Sequence, residues 1–404
     1  MTGSVLFYVQ HLLGIGHLRR ALYLCEALSA EGIAVTLVSG GEPLPELGSA
    51  VAARVVQLSP IRAQDASFAR LVDNAGQPPD DRLRTARCAA LLAAFAAAAP
   101  DAVIIEAFPF GRRAFRFELD PLIAAARARH PRALVLCSLR DIIVAPPDAA
   151  RRRAIVERVR ADFDAVLVHG DPALIPLDAS FPEAGEITGR LRYTGYVAAP
   201  VGPIAADATV GADEVLVSAG GGAVGATLLA TALEARRRGC LAGLRWRLLT
   251  GPNLPEDAFL ALGGRLAANV VIERYRHDFP ALLRRCRVSV SQAGYNTVLE
   301  ILAARAAAVV VPFAEGRESE QTLRAERLAA RGVIDLVPAG DLVPERLAAA
   351  IEGAAAHRPA ALAFDTEGAP RTARLVAALI GEMKAAGGIE LQRFVIEPGD
   401  YTIG

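Results

Sequence analysis

The residues best suited to bind a ligand lie between positions 288 and 325. An apolar stretch, Val288–Ser291, runs into a small-residue turn and a predicted helix, and a second apolar stretch ending at Pro312 leads through a polar loop to another predicted helix. The residues at the starts of these helices are Gly294, Asn296, Thr297, Glu300, Glu320, Gln321 and Arg324. Helix N-termini present free N–H groups and a positive dipole end to an anion, and a carboxylate one turn further on can accept hydrogen bonds from a sugar diol. The pattern therefore predicts a site for a nucleotide sugar.

A second candidate site lies near the N-terminus, where a glycine turn carries Gly14, Gly16 and His17 after the apolar stretch from Val5 to Val9. In a doubly wound sheet such a turn lies at the carboxyl ends of the strands, where ligands bind. A histidine there can contact a diphosphate or accept a proton from a hydroxyl group, because an ordinary pKa of about 6.5 leaves it largely neutral at pH 7. The alternative is a structural histidine that caps the first helix.

Another glycine-rich turn follows the apolar stretch that ends at Ser218, and its glycines are Gly220, Gly221, Gly222 and Gly225. The G-x-G-x-x-G spacing is that of dinucleotide-binding proteins, but an NAD site needs an acidic residue at the end of the next strand. That position holds Thr250, followed by Gly251 and Pro252. We therefore interpret the turn as one that lets backbone N–H groups approach a diphosphate. A purely structural turn is the alternative.

Several ionisable residues of the first half each follow a strand-like stretch, namely Glu106, Arg112, Arg140, Asp141, His169 and Asp171. Loops at the carboxyl edge of a sheet are where substrates bind, so we assign this set to the acceptor side. Glu106 and Asp141 are the alternatives to His17 as a base. For each residue a capped loop or a solvated ion pair remains the competing interpretation.

Two aromatic segments complete the set of candidates. Tyr275 lies in a loop that could pack on a nucleobase. Arginines and phenylalanines also alternate from position 108 to 117, at Phe108, Phe110, Arg112, Arg113, Phe115, Arg116 and Phe117. This alternation could form a basic and apolar patch that touches a membrane, although a salt-bridged surface of the fold is the alternative.

The elements that must position these residues alternate regularly. Apolar strand-like runs separated by amphipathic helical runs indicate a parallel sheet covered by helices on both faces. The alternation pauses at the Pro- and Gly-containing segment from Ala198 and restarts at Glu214. We predict an α/β protein with two Rossmann-like, doubly wound domains facing across a cleft. The predicted ranges are 1–197 for the acceptor domain, 198–213 for the linker, 214–365 for the nucleotide-sugar domain, 366–386 for a C-terminal helix that packs on the first domain, and 387–404 for a tail.

Bulk properties narrow the class of protein. The chain has 404 residues, enough for two or three domains, and 53% of them are hydrophobic, as in globular proteins. Lys plus Arg equals Asp plus Glu at 44 each, so no overall field attracts nucleic acid. Five scattered cysteines predict neither disulfides nor a zinc site. No apolar run reaches the length of about 20 residues that spans a bilayer, so we expect a cytoplasmic protein, in contact with the inner face of the membrane at most.

The motifs together resemble the nucleotide-sugar transferases of the MurG type, a family 28 branch of the two-Rossmann-domain (GT-B) glycosyltransferases. The stretch from Tyr8 to Arg20 is similar to the opening of uncharacterised bacterial predicted glycosyltransferases, and the densest match lies in the C-terminal half. The resemblance implies that Glu300 binds the ribose and that Glu320 and Gln321 contact the donor sugar. Here Glu320 replaces a Gln and Arg324 replaces an Asn of the family pattern, so the identity of the sugar does not carry over.

The resemblance also implies an activity: inverting transfer of a sugar from a nucleoside-diphosphate sugar, most simply a UDP-sugar, to a hydroxyl of a glycan, a lipid-linked or a small-molecule acceptor. It implies no cofactor and no bound metal, and we interpret Asp162-Phe163-Asp164 as a helix-end coincidence because this Asp-x-Asp precedes a strand. Two alternatives remain open. One is a nucleotide-sugar hydrolase of the PseG type, and the other is a non-catalytic nucleotide-sugar-binding protein.

Overall fold

The chain divides into two compact units in the computed structural model. One unit comprises Met1–Val197 together with Asp365–Gly404, and the other comprises Ala198–Phe364. The structure describes residues 3–12, 16–43, 53–64, 70–144, 146–198, 210–219, 225–251, 254–263, 267–314, 319–357 and 359–386. Gly14, the glycines from 220 to 222, most of the predicted linker and the predicted tail lie outside these ranges.

The described residues of the first unit form nine strands. They are β1 (Gly3–Val9), β2 (Ile33–Ser39), β3 (Arg54–Gln57), β4 (Arg62–Ala63), β5 (Leu71–Val72), β6 (Ala102–Glu106), β7 (Leu134–Arg140), β8 (Ala165–His169) and β9 (Leu191–Tyr193). Seven of them form one sheet in the order β3-β2-β1-β6-β7-β8-β9, and each neighbouring pair is parallel. β4 and β5 form a separate antiparallel pair. The carboxyl ends of the seven strands therefore share one edge of the sheet.

The helices described between residues 1 and 197 are α1 (Gly16–Ala30), α2 (Asp81–Ala98), α3 (Arg116–Ala128) and α4 (Ala149–Asp162). Aspartates begin two of them: the Leu83 N–H donates to Asp80 Oδ1 at 2.7 Å before α2, and the Ala150 N–H donates to Asp148 Oδ1 at 2.9 Å before α4. Each carboxylate satisfies an N–H group that the helix itself leaves free.

Alternate residues of β1 enter two different hydrophobic cores, as the pleat of a strand requires. Leu6 and Tyr8 pack in the core that contains residues of α2, α3 and α4, whereas Val5, Phe7 and Val9 pack with residues of α1. All five side chains are buried. The sheet is thus covered on both faces, which confirms the doubly wound prediction.

The second unit repeats the architecture. Its strands are β10 (Val215–Ser218), β11 (Trp246–Leu249), β12 (Val270–Glu273), β13 (Val288–Ser291), β14 (Ala308–Val310) and β15 (Asp335–Leu336), and its helices are α5 (Ala226–Arg237), α6 (Glu256–Gly263), α7 (Phe279–Arg285), α8 (Tyr295–Ala304), α9 (Glu320–Ala329) and α10 (Pro344–Ala356). The sheet order is β12-β11-β10-β13-β14-β15, again with parallel neighbours.

The last described helix, α11 (Gly368–Ala385), belongs to the first unit. Its buried residues Val376, Ile380 and Met383 join the core that contains β1 and α1. This is the C-terminal crossover helix expected from the sequence. Among the described residues, no helix is long and apolar enough to cross a membrane.

Candidate functional site

His17 and Glu106 meet at the carboxyl edge of the first sheet. His17 is the second residue of α1, which follows β1, and Glu106 is the last residue of β6, the strand paired with β1. His17 Nδ1 lies 2.6 Å from Glu106 Oε1. The carboxylate side chain is 1% exposed and the imidazole 24%. One face of the ring is therefore held inside the protein while another remains open to solvent.

Two arginines complete this cluster around the same carboxylate. Arg20 Nη2 donates to Glu106 Oε1 at 2.6 Å, and Arg112 Nη2 lies 3.7 Å from Glu106 Oε2. Arg112 also donates from Nε to the backbone oxygen of Gln10 at 2.6 Å. The sequence predicted Arg112 on the acceptor side and missed Arg20. The available signal was the position of Arg20, three residues after His17 and so on the same face of a predicted helix.

The charges in this cluster set the protonation of the pair. Burial lowers the pKa of His17 to about 4, because it outweighs the opposing effect of Glu106, and Arg112 and Arg20 lower it further. Burial alone would raise the pKa of Glu106, but His17, Arg112 and Arg20 hold it well below its usual range. At pH 7 the carboxylate is ionised and can only accept, so a neutral His17 must carry its proton on Nδ1. Its Nε2 then has a free lone pair, the state required of a general base.

The other predicted acceptor-side residues lie along the same sheet edge but differ in their surroundings. His169 is fully buried, and its ring nitrogens bond the Ser138 hydroxyl at 2.8 Å and the Thr194 hydroxyl at 2.9 Å. Burial lowers the pKa of His169 to about 3. These bonds favour an internal role for its ring over contact with an acceptor.

Asp141 is also buried, and its Oδ1 accepts from the Ile142 N–H at 2.9 Å. Asp171 is half-buried and accepts from the Ala173 N–H at 2.9 Å. Arg140, at the end of β7, is half-buried and close enough to Arg112 to lower its pKa together with burial. Of this set, Arg112 lies against the His17–Glu106 pair, and Arg140 is coupled to Arg112 by charge.

The phenylalanines predicted for a membrane patch are mostly internal. Phe108, Phe110 and Phe115 are 3%, 6% and 1% exposed and belong to the core of the first unit. Arg116 pairs with Asp120 at 3.1 Å. The basic and apolar patch is therefore wrong as a surface, because three of its four rings point into the sheet–helix interface. The salt-bridged alternative describes this segment.

In the second unit, the predicted ligand-binding residues gather at the starts of α8 and α9. Gly294 precedes α8, where Asn296, Thr297 and Glu300 are all half-buried. Ser218 ends β10, directly paired with β13, which ends just before this turn. Gly225 directly precedes α5, and a Cβ there would lie 2.2 Å from the Cβ of Ala219, the residue after β10. Only glycine allows this close approach.

The start of α9 is fastened to the start of α8. Arg324 donates to Glu320 Oε1 at 2.8 Å and to the Ala293 backbone oxygen at 3.0 Å, and its guanidinium lies 5.5 Å from the centroid of the Tyr295 ring. Gln321 Oε1 accepts from the Phe313 N–H at 3.0 Å. The departures from the family pattern at Glu320 and Arg324 thus form one buried ion pair, with side chains 5% and 3% exposed.

Tyr275 follows β12 and is 47% exposed, with its ring 4.8 Å from the ring of His277 in an edge-to-face arrangement. An exposed ring at the carboxyl end of a strand has room to stack on a planar ligand.

Neither aspartate of the Asp-x-Asp sequence has the surroundings of a metal ligand. Asp162 pairs with Arg158, and Asp164 accepts from both terminal nitrogens of Arg132 at 2.9 and 3.0 Å. In the part of the chain that the structure describes, no group of three or more His, Cys, Asp or Glu side chains is arranged to hold a metal ion.

Comparison with known proteins matches the C-terminal half of the chain to a family model. Residues 216–376 match the glycosyltransferase family 28 C-terminal domain. A relative from Rhodospirillum centenum, the UDP-N-acetylglucosamine–N-acetylmuramyl-(pentapeptide) pyrophosphoryl-undecaprenol N-acetylglucosamine transferase, is 30% identical over 138 residues, which is 33% of this chain and 35% of the relative. The chain therefore spans about a third of the length of this curated relative.

Two solved structures match nearly the whole chain. The calicheamicin glycosyltransferase CalG4 has a TM-score of 0.61 at 18% identity, covering 97% of this chain and 100% of that one. The Acinetobacter baumannii MurG has a TM-score of 0.55 at 18% identity, covering 94% and 100%. At such identities the likeness concerns the fold, and it confirms the predicted two-domain GT-B class.

Proposed function

We infer that this chain, a MurG-like member of glycosyltransferase family 28, transfers a sugar from a nucleoside-diphosphate sugar to an acceptor hydroxyl. The observation that carries the inference is the His17–Glu106 pair, a neutral imidazole fixed by an ionised carboxylate. The family match of the second unit supports the assignment of the donor to that unit. The acceptor side is assigned to the first unit.

The proposed reaction is a single displacement that inverts the anomeric carbon. The acceptor oxygen forms a bond to that carbon while the bond from the carbon to the diphosphate oxygen breaks, and the hydroxyl proton passes to His17 Nε2. Glu106 orients the ring and stabilises the imidazolium that forms, as a carboxylate does in other histidine-based sites. Gly294, the N–H groups at the start of α8 and the glycine-rich turn predicted from the sequence after Ser218 would stabilise the departing diphosphate without a metal ion.

Glu300 is assigned to the ribose, Tyr275 to the nucleobase, and Gln321 to the donor sugar. Glu320 is tied to Arg324, so we propose that the pair shapes the sugar site as a unit. The name of the Rhodospirillum relative supports a UDP-sugar as donor and a lipid-linked diphosphate as acceptor. An acceptor of that kind would bring the protein to a membrane surface.

The first experiment is ligand-observed NMR of the purified protein with a panel of UDP-, dTDP-, GDP- and CMP-sugars and their parent nucleotides. Selective binding of one nucleotide sugar that persists unhydrolysed is expected. Turnover is then measured with lipid-linked and soluble acceptors. Binding followed by release of free sugar without acceptor would favour the hydrolase, and no binding to any member would overturn the donor site.

A matched pair of variants tests the base. His17→Gln should lower turnover by about 10²–10⁴-fold, the usual range for a general base, and leave the donor dissociation constant nearly unchanged. His357→Gln is the control, because His357 is exposed at the end of α10. Unchanged turnover in His17→Gln would remove His17 from the mechanism.

A further inference from the structure

We propose that Gln10, clamped by Arg87, is a positioning residue that holds Arg112 against the His17–Glu106 pair. The proposal deepens the proposed function, since it rests on His17 as the base. Gln10 and Arg87 touch neither reacting group, and both are buried, at 0% and 1% exposure. They act through a continuous path of hydrogen bonds.

Arg87 uses all five of its N–H groups. Its Nε donates to Glu118 Oε2 at 3.0 Å, and its Nη2 donates to Glu118 Oε1 at 2.7 Å and to Gln10 Oε1 at 2.9 Å. Its Nη1 donates to the backbone oxygens of Gly40, at 3.0 Å, and Ser59. The guanidinium thereby joins the carboxyl ends of β1, β2 and β3 to α3. A guanidinium saturated in this way has one orientation available to it.

Glu118 balances the positive charge of Arg87, so that the layer behind Gln10, formed by Arg87, Glu118 and Tyr8, is electrically neutral. Glu118 is fully buried, pairs with Arg87, and accepts from the Tyr8 hydroxyl at 2.5 Å. Burial and the neighbouring Glu118 raise the pKa of Tyr8, so the hydroxyl keeps its proton. The layer therefore adds little net charge to the base and influences it by geometry.

Gln10 transmits that geometry to Arg112. Its amide nitrogen donates to the backbone oxygens of His11 at 3.0 Å and Ile61 at 2.9 Å, which fixes the chain at the end of β1. Its own backbone oxygen accepts from Arg112 Nε at 2.6 Å. Arg112 is thus held from behind, with its Nη2 turned toward Glu106 at 3.7 Å.

Gly40 shows how closely this layer is packed. A Cβ on Gly40 would lie 2.1 Å from Gln10 Oε1 and 2.7 Å from Arg87 Nη2. Approach of this kind is available only to glycine. Gly40→Ala therefore disturbs the clamp without removing any charge or hydrogen-bonding group.

The readout is the titration of His17 in ¹⁵N-histidine-labelled full-length protein, with its resonances assigned by their loss in His17→Gln. The charged groups around the ring are Glu106 on β6, Arg112 after β6 and Arg20 on α1, and Arg140 lies near Arg112. Arg112 lowers the pKa of His17, so Arg112→Met should raise that pKa by about one or more, as expected for loss of an adjacent charge. Gln10→Met and Gly40→Ala should each reproduce most of this rise.

The double variants decide whether the effect passes through Arg112. In an Arg112→Met background, Gln10→Met and Gly40→Ala should no longer change the pKa of His17. An unchanged pKa in both single variants, or an undiminished effect in the double variants, would overturn the proposal. Gly185→Ala is the control, since a Cβ there meets nothing within 4 Å, and it should leave the titration unchanged.

Thermal unfolding of each variant separates positioning from simple loss of structure. If Gln10→Met does not fold, Gly40→Ala carries the test, because it keeps every polar group. No donor or acceptor is needed for the titration. Failure of the nucleotide-sugar experiments would thus overturn the proposed function, whereas failure of the titration would overturn the clamp alone.

Discussion

His17 combines a depressed pKa with an ionised carboxylate on the Nδ1 side of its ring. Burial lowers that pKa to about 4 although the ring is partly exposed, and Arg112 and Arg20 lower it further against the opposing effect of Glu106. A histidine that stays neutral well below pH 7 is a base at every physiological pH. Its lower basicity is offset by Glu106, which stabilises the charge that develops on the ring.

The pH dependence of the proposed transfer follows from this shift. Because the active form is neutral His17, activity should be lost as pH falls through about 4 and not through the ordinary value of about 6.5. We expect kcat/KM to be level from pH 7 to pH 5.5 and to fall at lower pH. The measurement is kcat/KM across this range with circular dichroism at each pH to verify folding. An acid limb near 6.5 would contradict a buried, Arg-flanked base.

Glu300 allows an equally specific test on the donor side. If its carboxylate accepts from the ribose diol, Glu300→Gln should weaken donor binding by about 1.5–3 kcal/mol, the usual worth of a hydrogen bond to a charged group, or roughly 10- to 150-fold. The wild-type protein should also bind a 2′-deoxy donor more weakly, and the variant should hardly distinguish the two donors. Glu326→Gln, on the exposed side of α9, is the control. Equal discrimination in wild type and variant would place Glu300 away from the ribose.

The residues of this site could be selected from the sequence, but the contacts between them could not. His17, Glu106 and Arg112 could be selected singly, because each follows a strand and can carry charge or a proton. Their contact could not be predicted, since His17 and Glu106 are 89 positions apart and meet only because β1 pairs with β6. Arg20 and His169 show the same limit. A side chain's partners depend on strand order and burial, which the linear pattern does not specify.

At the scale of elements, the central strands of both sheets were predictable and the edges were less so. The central strands are continuous apolar runs because helices cover both faces. The edge strands β3, β9 and β15 were not predicted. They are short, and their residues are exposed or half-buried, so hydrophobic periodicity gives little signal for them.

One buried arginine links several elements of the second unit. Arg247, on β11, donates to Glu214 Oε2 at 2.7 Å and Oε1 at 3.2 Å and to Glu273 Oε2 at 2.6 Å. Glu273 in turn accepts from Arg276, which bonds both oxygens of Asp278 just before α7. The loop that carries Tyr275 is therefore held by this chain of ion pairs.

Removing Arg247 should destabilise the second unit. Arg247→Met leaves the Glu214 carboxylate, 4% exposed, without its main partner, and breaking a buried pair costs about 3–5 kcal/mol. Urea unfolding followed by Trp246 fluorescence measures this loss, because Trp246 is the only tryptophan in the chain and is fully buried in this unit.

Two further variants make the Arg247 measurement specific. Arg247→Met combined with Glu214→Leu should recover much of the lost free energy of unfolding, since the stranded charge is gone. Arg237→Met breaks an exposed pair with Glu234 and should cost at most about 1 kcal/mol. Equal losses of unfolding free energy in Arg247→Met and Arg237→Met would show that the buried Arg247–Glu214 pair stabilises the unit no more than an exposed pair does.

At the scale of the whole molecule, the first unit is built from two separate stretches of the chain. The segment that leaves β9 pairs with the segment that enters α11: Val197 bridges Glu367, and the Tyr196 N–H donates to the Asp365 backbone oxygen at 2.6 Å. A Cβ on Gly368 would lie 2.5 Å from the Gly195 backbone oxygen. Glycine is required there because the two backbones cross almost in contact. The docking of α11 thus starts from a fixed position.

The packing of α11 should therefore support the stability of the first unit alone. Ile380 is fully buried and lies beside Gly3 of β1, where an added Cβ would be 3.1 Å from Ile380 Cγ2. Ile380→Ala should cost about 2–5 kcal/mol, as for other buried isoleucines, whereas Gly381→Ala on the exposed side of the same helix should be neutral or gain up to about 1 kcal/mol.

Urea unfolding is followed in parallel by circular dichroism, which reports both units, and by Trp246 fluorescence, which reports the second. We expect Ile380→Ala to move part of the dichroism transition to lower urea and to leave the fluorescence transition in place. A parallel shift of both transitions would mean that the two units unfold as one, and a shift in neither would mean that α11 does not stabilise the first unit.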